Sequence, residues 1–258
     1  MLSKKRIQEF VSERFAKIRQ NHTAFSFFCK QDDLHQLRVE IKKLRVVARM
    51  LDYCLEYKEA SAAFLPVKKI FKKAGIIRSI YIELNILSKY PSQASRLINQ
   101  KMHIMDTAIN HFLQDEPAHI RQINEAEKNI SGLIEDLDED DVIAYLGKLI
   151  EKTWKRLSRP EEKEMLHEAR SLMKTLLYTN NLLNRRIRDI MDLDIKYLTE
   201  LQELIGKWHD ADIAFEELRT HGALPKKVLK ALEDEVHLLG KQVTTFSRDF
   251  NERLHALA

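Results

Sequence analysis

The sequence predicts an all-α protein, and three of its features favour that fold class. Only 6 glycines and 5 prolines occur in 258 residues, which is few for a chain with many tight turns. Apolar residues recur at spacings of three and four along most of the chain, the period of an amphipathic helix. No segment alternates apolar and polar side chains clearly enough to predict a strand.

The first half is predicted to form five helices, separated by caps and helix breakers. Ser3 is a candidate N-cap for the first helix, and Asp32 or Asp33 for the second. Gly75 and Pro91 are expected to interrupt the pattern further on. The first predicted helix ends at about residue 21. The next four cover residues 33–57, 66–75, 76–90 and 92–114.

The second half is predicted to contain a long helical stretch and four further helices. The long helical stretch begins at Pro117 and ends at about residue 159. Gly132 and Gly147 leave open whether it is one continuous helix. Ser158 is the candidate N-cap of the next helix, with Pro160 at an early helical position. This helix carries residue 167, and the later ones cover 193–206, 208–221 and 225–257.

A stripe of cationic side chains follows the second predicted helix. Its members are His35, Arg38, Lys42, Arg45 and Arg49, which step by three and four residues and so share one helix face. An apolar stripe with the same spacing lies one residue earlier: Leu34, Leu37, Ile41, Leu44, Ala48 and Leu51. Glu40 is the only acid between Asp33 and Asp52. Because like charges one turn apart repel, this face favours an anionic ligand.

The pattern recurs 132 residues later and predicts an internal duplication. His167, Arg170 and Lys174 match the start of the first stripe, and a second element follows about 40 residues on. That element reads Gly-x-x-Arg-Ser from Gly75 and Gly-x-x-His-Asp from Gly206. A duplication of this kind predicts one domain over residues 1–258, built from two helical repeats, 1–115 and 116–258.

Charge is distributed unevenly along the chain. Residues 1–100 hold 20 Lys and Arg against 9 Asp and Glu, whereas residues 115–141 hold 2 against 10. The basic part is the footprint expected of a protein that binds a polyanion. The acidic run at 135–141 is interpreted as a solvated loop, with an intramolecular mimic of the ligand as the alternative.

These motifs resemble the conserved histidine α-helical domain family, known as CHAD. The resemblance rests on the two histidine–cation helices and the two glycine elements, and it covers residues from about 3 to 256. It implies two pseudo-symmetric antiparallel helical bundles around a basic central groove or cavity. It also implies a binding protein for inorganic polyphosphate that associates with polyphosphate granules and is not an enzyme.

Fifteen side chains are predicted to contact polyphosphate, and no catalytic residue, metal ligand or cofactor is predicted. They are His35, Arg38, Lys42, Lys43, Arg45, Arg49, Lys68, Lys69, Lys72, Lys73, Arg78, His167, Arg170, Lys174 and His209. The second repeat is weaker, because Thr175 and Leu177 stand where the first has Lys43 and Arg45. Whether the histidines contact ligand or only position helices stays open.

Three other functions remain as alternatives. Nucleic-acid binding is disfavoured because the stripe of residues 35–49 contains no aromatic side chain for base stacking. A phosphohydrolase or phosphotransferase needs carboxylates that hold Mg²⁺, for which Asp210 and Asp212 are the best candidates. A scaffold for an unknown protein partner is not distinguished by sequence. A di-iron site at Glu164-x-x-His167 is disfavoured by the cations that follow it.

The sequence also bears on the compartment. Two cysteines, Cys29 and Cys54, do not make a disulfide framework or a cysteine-built zinc site. The first residues carry charges without an apolar core after them, and no run reaches the length of a membrane span. We therefore expect a cytoplasmic protein with no membrane partner.

Overall fold

A computed structural model describes residues 1–57, 59–89, 91–159, 162–220 and 226–254, with backbone alone at 91–93. These residues form twelve helices and no strand, which confirms the all-α prediction. In chain order they are α1 Lys4–Phe28, α2 Gln31–Cys54, α3 Glu59–Ala63, α4 Leu65–Leu87, α5 Pro91–Gln114, α6 Glu116–Gly132, α7 Glu139–Leu157, α8 Lys163–Asn180, α9 Arg185–Met191, α10 Ile195–Thr220, α11 Lys226–Phe246 and α12 Phe250–Leu254.

The chain divides into two compact units. Unit 1 comprises Met1–Pro91 and Ser95–Val142, and unit 2 comprises Ser92–Ala94 and Ile143–Ala258. These units follow from contacts, whereas the repeats at 1–115 and 116–258 follow from sequence similarity. The division into two repeats, the duplication and the central groove stay predictions.

Unit 1 is a bundle in which four long helices enclose the core. Helix α1 packs on α2 and α6, and α4 packs on the same two helices. The apolar stripe of α2 is buried along its whole length, as its spacing predicts. Full burial of one Leu side chain contributes about 1.5–3 kcal/mol, so this stripe is a large part of what holds α2 in place.

The ends of α1 and α2 differ in part from the prediction. Ser3 does cap α1, since its hydroxyl accepts from the Arg6 amide at 3.4 Å. The helix continues to Phe28, where Cys29 takes a left-handed conformation with φ 51°. The predicted Asp32 or Asp33 cap of α2 is wrong, because the helix already begins at Gln31 and both acids lie in its first turn.

Two glycines expected to end helices lie inside them. Helix α4 runs without a break through Gly75, and α10 runs through Gly206. The helical residues on both sides of each glycine are packed against other helices. This burial outweighs the weak helix propensity of a single glycine. Both glycines have a packing role, described below.

Unit 2 is organised around α10, which packs on α8 and α11. Leu198, Leu201 and Ile205 of α10 are fully buried, as are Ala169 and Met173 among the core residues of α8. The Tyr197 hydroxyl donates to the Phe246 carbonyl at 2.9 Å and so ties the start of α10 to the end of α11.

In the second half, the structure answers the question of continuity that Gly132 and Gly147 leave open, and it contradicts two predicted boundaries. The stretch from Pro117 is broken between α6 and α7, where Leu137 forms an antiparallel bridge with Leu2. Ser158 is no cap, because its hydroxyl donates to the Trp154 carbonyl of the helix that precedes it. The last helix is split between α11 and α12. The predicted positions Pro160, His221, Pro225 and Leu257 lie outside the described residues.

Candidate functional site

The cationic stripe of α2 lies beside α4. His35 and Arg49 at its two ends are exposed, and the cations between them are partly buried. This arrangement follows from the helix period. The apolar stripe faces the core, so the cationic stripe beside it on the helix lies at the edge of the core.

Arg38 reaches across from α2 to the backbone of α4. Its Nη1 donates to the Phe71 carbonyl at 2.6 Å, and its guanidinium lies over the Phe71 ring, 4.0 Å from the centroid. An ideal Cβ built on Gly75 would lie 2.6 Å from the same Nη1, too close for any real contact. The glycine therefore leaves the space that the guanidinium occupies.

Phe71 gathers three cations of α2 around one ring. Lys42 Nζ lies 5.8 Å and the Arg45 guanidinium carbon 5.7 Å from its centroid, in addition to Arg38. Each cation over an aromatic face gains about 0.5–2 kcal/mol, which offsets part of the repulsion between them. We call Arg38, Lys42, Arg45 and Arg78, with this ring, the basic cluster of unit 1.

Burial and neighbouring positive charge change the acidity of Arg38, the most central member of this cluster. The pKa of Arg38 is lowered to about 10, first by burial and then by Arg78 and Arg45. A nearby anion would relieve both effects, because it favours the charged form. The cluster therefore concentrates positive charge at one edge of α2.

Two predicted ligand contacts are engaged elsewhere. Lys43 points away from the stripe toward Glu40, whose carboxylate accepts from Lys43 Nζ at 2.7 Å and contacts Arg14 at 3.2 Å. Lys73 forms an ion pair with Asp115, at the start of α6. Each lysine therefore has a carboxylate partner in the folded chain, and its contact with polyphosphate stays a prediction.

The remaining lysines of α4 are open to a ligand. Lys68, Lys69 and Lys72 are exposed, and within the described part of the chain none of them forms an ion pair. Their contact with polyphosphate stays a prediction.

Unit 2 repeats the arginine contact of unit 1. Arg170 Nε donates to the Gln202 carbonyl at 3.1 Å, four residues before Gly206, as Phe71 lies four residues before Gly75. An ideal Cβ on Gly206 would lie 2.7 Å from Arg170 Nη2. We call His167, Arg170, Lys174 and His209 the basic cluster of unit 2.

The rings of His167 and His209 are in tilted contact in this cluster, with centroids 4.7 Å apart and an angle of 42° between their planes. Burial lowers the pKa of His209, and His167 lowers it further, while Asp210 opposes the shift. The pKa of Lys174 is lowered to about 8 by burial and by Arg170, against Asp210 and Glu203. Asp210 and Glu203 therefore offset part of the positive charge of this cluster.

The acidic run at 135–141 contacts the first residues of the chain. Asp136 accepts from the Lys4 amide at 2.5 Å, and Glu139 pairs with the amino group of Met1 at 3.0 Å. Asp138 accepts from the Asp140 amide at 2.8 Å at the start of α7. These contacts give the run a structural role.

Two features of the site were missed in the sequence. The stripe itself contains no aromatic residue, yet α4 supplies Phe71 beneath it. The sequence predicts that Gly75 and Gly206 break helices. In the structure each glycine leaves space for an arginine side chain from another helix. The signal available was the matched spacing, with each glycine 36 or 37 residues after an arginine of a histidine–cation motif.

Among the described residues, neither Asp210 nor Asp212 belongs to a group of side chains that could hold a metal ion. Asp212 is buried and its carboxylate contacts Lys163 Nζ at 2.5 Å. Over the described ranges, no group of three or more His, Cys, Asp or Glu side chains is placed to hold a metal ion. None of the described helices is both long and apolar enough to cross a bilayer.

Comparison with known proteins places this geometry in a family. The crystal structure of the CHAD domain from the plant Ricinus communis superimposes with a TM-score of 0.70 at 18% identity, over 99% of this chain and 92% of that one. No curated protein matches the chain. The family model of the CHAD domain matches residues 9–219. The chain therefore belongs to the CHAD domain family.

Proposed function

We propose that this protein binds inorganic polyphosphate, or a similar linear polyanion, through its two basic clusters. The family is associated with polyphosphate binding. The observation that carries the proposal is the cluster of unit 1, where Lys42 and two arginines surround Phe71, and where burial and then like charge lower the pKa of Arg38. Such a concentration of partly buried positive charge favours a multivalent anion.

The spacing of the cations suits a phosphate polymer. Residues three and four apart on a helix lie roughly 4.5–6 Å apart along the axis, so successive phosphates can meet successive side chains. Arginine offers forked donors to phosphate oxygens and lysine offers a mobile point charge. Neither group needs a base or sugar to bind.

The Phe71 ring supports polyphosphate over single-stranded nucleic acid. Single-strand binders stack bases on open aromatic faces. Here the Arg38 guanidinium lies 4.0 Å from the ring centroid, so one face of the ring is covered. The aromatic side chain therefore organises cations instead of presenting a platform for bases.

A binding role without catalysis completes the proposal. We infer a cytoplasmic protein that associates with polyphosphate granules, with no cofactor. Asp212, one of two carboxylates suited to a metal, is held by Lys163. Positive side chains alone position phosphates but do not supply the metal ions that phosphoryl transfer uses.

The defining experiment is a competition between long-chain polyphosphate and single-stranded DNA of equal charge, at two salt concentrations. We expect tighter binding of polyphosphate, with affinity falling steeply as salt rises because counterions are released on binding. Equal or tighter binding of DNA near physiological salt would contradict the assignment and favour the nucleic-acid alternative.

Catalysis is tested separately, with polyphosphate and nucleoside triphosphates in the presence of Mg²⁺ or Mn²⁺. We expect no release of phosphate. If phosphate is released, the double variant Asp210→Asn, Asp212→Asn should decide its source. Loss of that release in a folded double variant would show that the protein is an enzyme.

A further inference from the structure

The same three-part contact occurs once in each unit. An arginine from the histidine–cation helix crosses to the next long helix, donates to a carbonyl, and occupies the space left by a glycine four residues later. In unit 1 these groups are Arg38, Phe71 and Gly75, and in unit 2 they are Arg170, Gln202 and Gly206. Each contact is internal to its own unit.

We infer that Arg38 and Arg170 are positioning residues that lock α2 to α4 and α8 to α10, with Gly75 and Gly206 as their sockets. Family resemblance and charge alone would make both arginines ligand contacts. The geometry assigns them to the backbone of the neighbouring helix. Their charge still adds to the local potential, but their guanidinium groups are committed to holding two helices together.

The hydrogen bonds support this assignment. The carbonyls of Phe71 and Gln202 lie inside long helices, where the helix itself already supplies a donor. A second, charged donor at 2.6 Å in unit 1 and 3.1 Å in unit 2 is therefore an added link between helices. Arginine suits this role because its planar fork can donate and lie over a ring at once.

The glycines give independent support. Glycine is among the poorest residues for the interior of a helix, so a glycine there calls for a reason. At Gly75 and Gly206 the nearest atoms to an added Cβ are arginine nitrogens, at 2.6 and 2.7 Å. At Gly240, in contrast, the nearest atom is Trp208 Nε1 at 3.5 Å, which is an ordinary contact.

The lock has a consequence that rests on the proposed function. With α2 held against α4, Lys42 and Arg45 lie one and two turns beyond Arg38 and converge with Arg78 on one surface. Loss of the lock would misplace these cations without removing any of their charge. Affinity for polyphosphate would then fall although the number of cations stays the same.

A double-variant cycle in the full-length protein tests the lock without any ligand. Gly75→Ala and Arg38→Gln should each lower the melting temperature by at least about 2 °C. In the Arg38→Gln background, Gly75→Ala should no longer lower it, because the shorter side chain leaves room for the methyl group. The matched control Gly240→Ala should raise it by about 1–4 °C. Additive losses in the cycle would overturn the lock.

The same variants test the consequence with long-chain polyphosphate as the probe. Gly75→Ala keeps every cation, so it should weaken binding by about threefold or more through misplacement alone, while the dependence of affinity on salt is unchanged. Unchanged affinity in Gly75→Ala, with weaker and less salt-dependent binding in Arg38→Gln, would make Arg38 a ligand contact. If the wild type does not bind polyphosphate at all, the proposed function fails, and the thermal cycle alone decides the lock.

Discussion

At the scale of single residues, neighbours in the sequence have opposite roles. Lys42 lies 5.8 Å from the centroid of Phe71 and belongs to the basic cluster of unit 1. Lys43, one residue later, lies about 100° further around the helix and pairs with the buried carboxylate of Glu40. The difference in direction separates a candidate ligand contact from a structural ion pair.

Replacement of each lysine by glutamine should separate these roles. Lys42→Gln should weaken polyphosphate binding by about tenfold, because a charge-assisted hydrogen bond contributes roughly 1.5–3 kcal/mol and screening reduces it. Lys43→Gln should leave binding nearly unchanged and lower the free energy of unfolding by about 1–3 kcal/mol, since buried Glu40 loses a charged partner. Titration with polyphosphate and urea denaturation measure the two effects. A larger loss of affinity in Lys43→Gln would contradict the assignment.

At the scale of helices, the pairing of α1 with α6 contains a buried histidine pair. His22 Nε2 and His119 Nδ1 lie 3.1 Å apart, and both side chains are almost completely buried. One ring donates and the other accepts, which requires that at least one stays neutral. Burial lowers the pKa of both, that of His119 to about 4. Glu116 opposes the shift at His22, and Asp115 opposes it at His119 while Lys73 adds to it.

This pair should make the protein sensitive to mild acid. In the unfolded chain both histidines titrate near about 6.5, so between about pH 6.5 and 4 the unfolded state binds more protons than the folded state. The free energy of unfolding should therefore fall as pH decreases through that window. The double variant His22→Leu, His119→Leu should lose less stability between pH 7 and 5, as measured by urea denaturation. An equal loss in both proteins would show that other groups cause the sensitivity.

The paths of α4 and α10 also show what local sequence reading misses. A glycine inside an amphipathic pattern predicts a break, and the sequence therefore predicts helix ends at Gly75 and Gly206. The breaks do not occur, because packing of the residues on both sides outweighs the low helix propensity of glycine, and an arginine from another helix occupies the space beside each glycine. The partner of the glycine lies 36 or 37 residues away in the sequence, beyond any local pattern.

At the scale of the whole molecule, the two units are expected to contribute unequally to binding. Lys42 and Arg45 meet at Phe71 in unit 1, where the charged neighbours that shift the pKa of Arg38 are positive. Lys174 of unit 2 lies near Asp210 and Glu203, which oppose the lowering of its pKa. We therefore expect a polyanion to be attracted more strongly to the cluster of unit 1.

Paired variants test this inequality. Lys42→Gln with Arg45→Gln should weaken polyphosphate binding by at least about tenfold, equivalent to about 1.4 kcal/mol. Lys174→Gln with His209→Gln should weaken it less, because nearby carboxylates already reduce the attraction. Titrations at one salt concentration compare the pairs, and circular dichroism checks that both proteins are folded. An equal or larger loss from the second pair would reverse the ranking of the units.

The amino-acid sequence by itself determined the all-α fold, the inward stripe of α2 and the membership of the CHAD family. Each of these depends on spacing along one helix or on the order of motifs along the chain, and neither requires knowledge of how the helices pack. Only the tertiary structure decided that Lys43 and Lys73 pair with carboxylates, that Phe71 gathers the cations of α2, and that Arg38 and Arg170 occupy glycine sockets. The physical reason is that a helix period gives the direction of a side chain around its own axis. The group it meets there depends on which helix packs alongside and at what register.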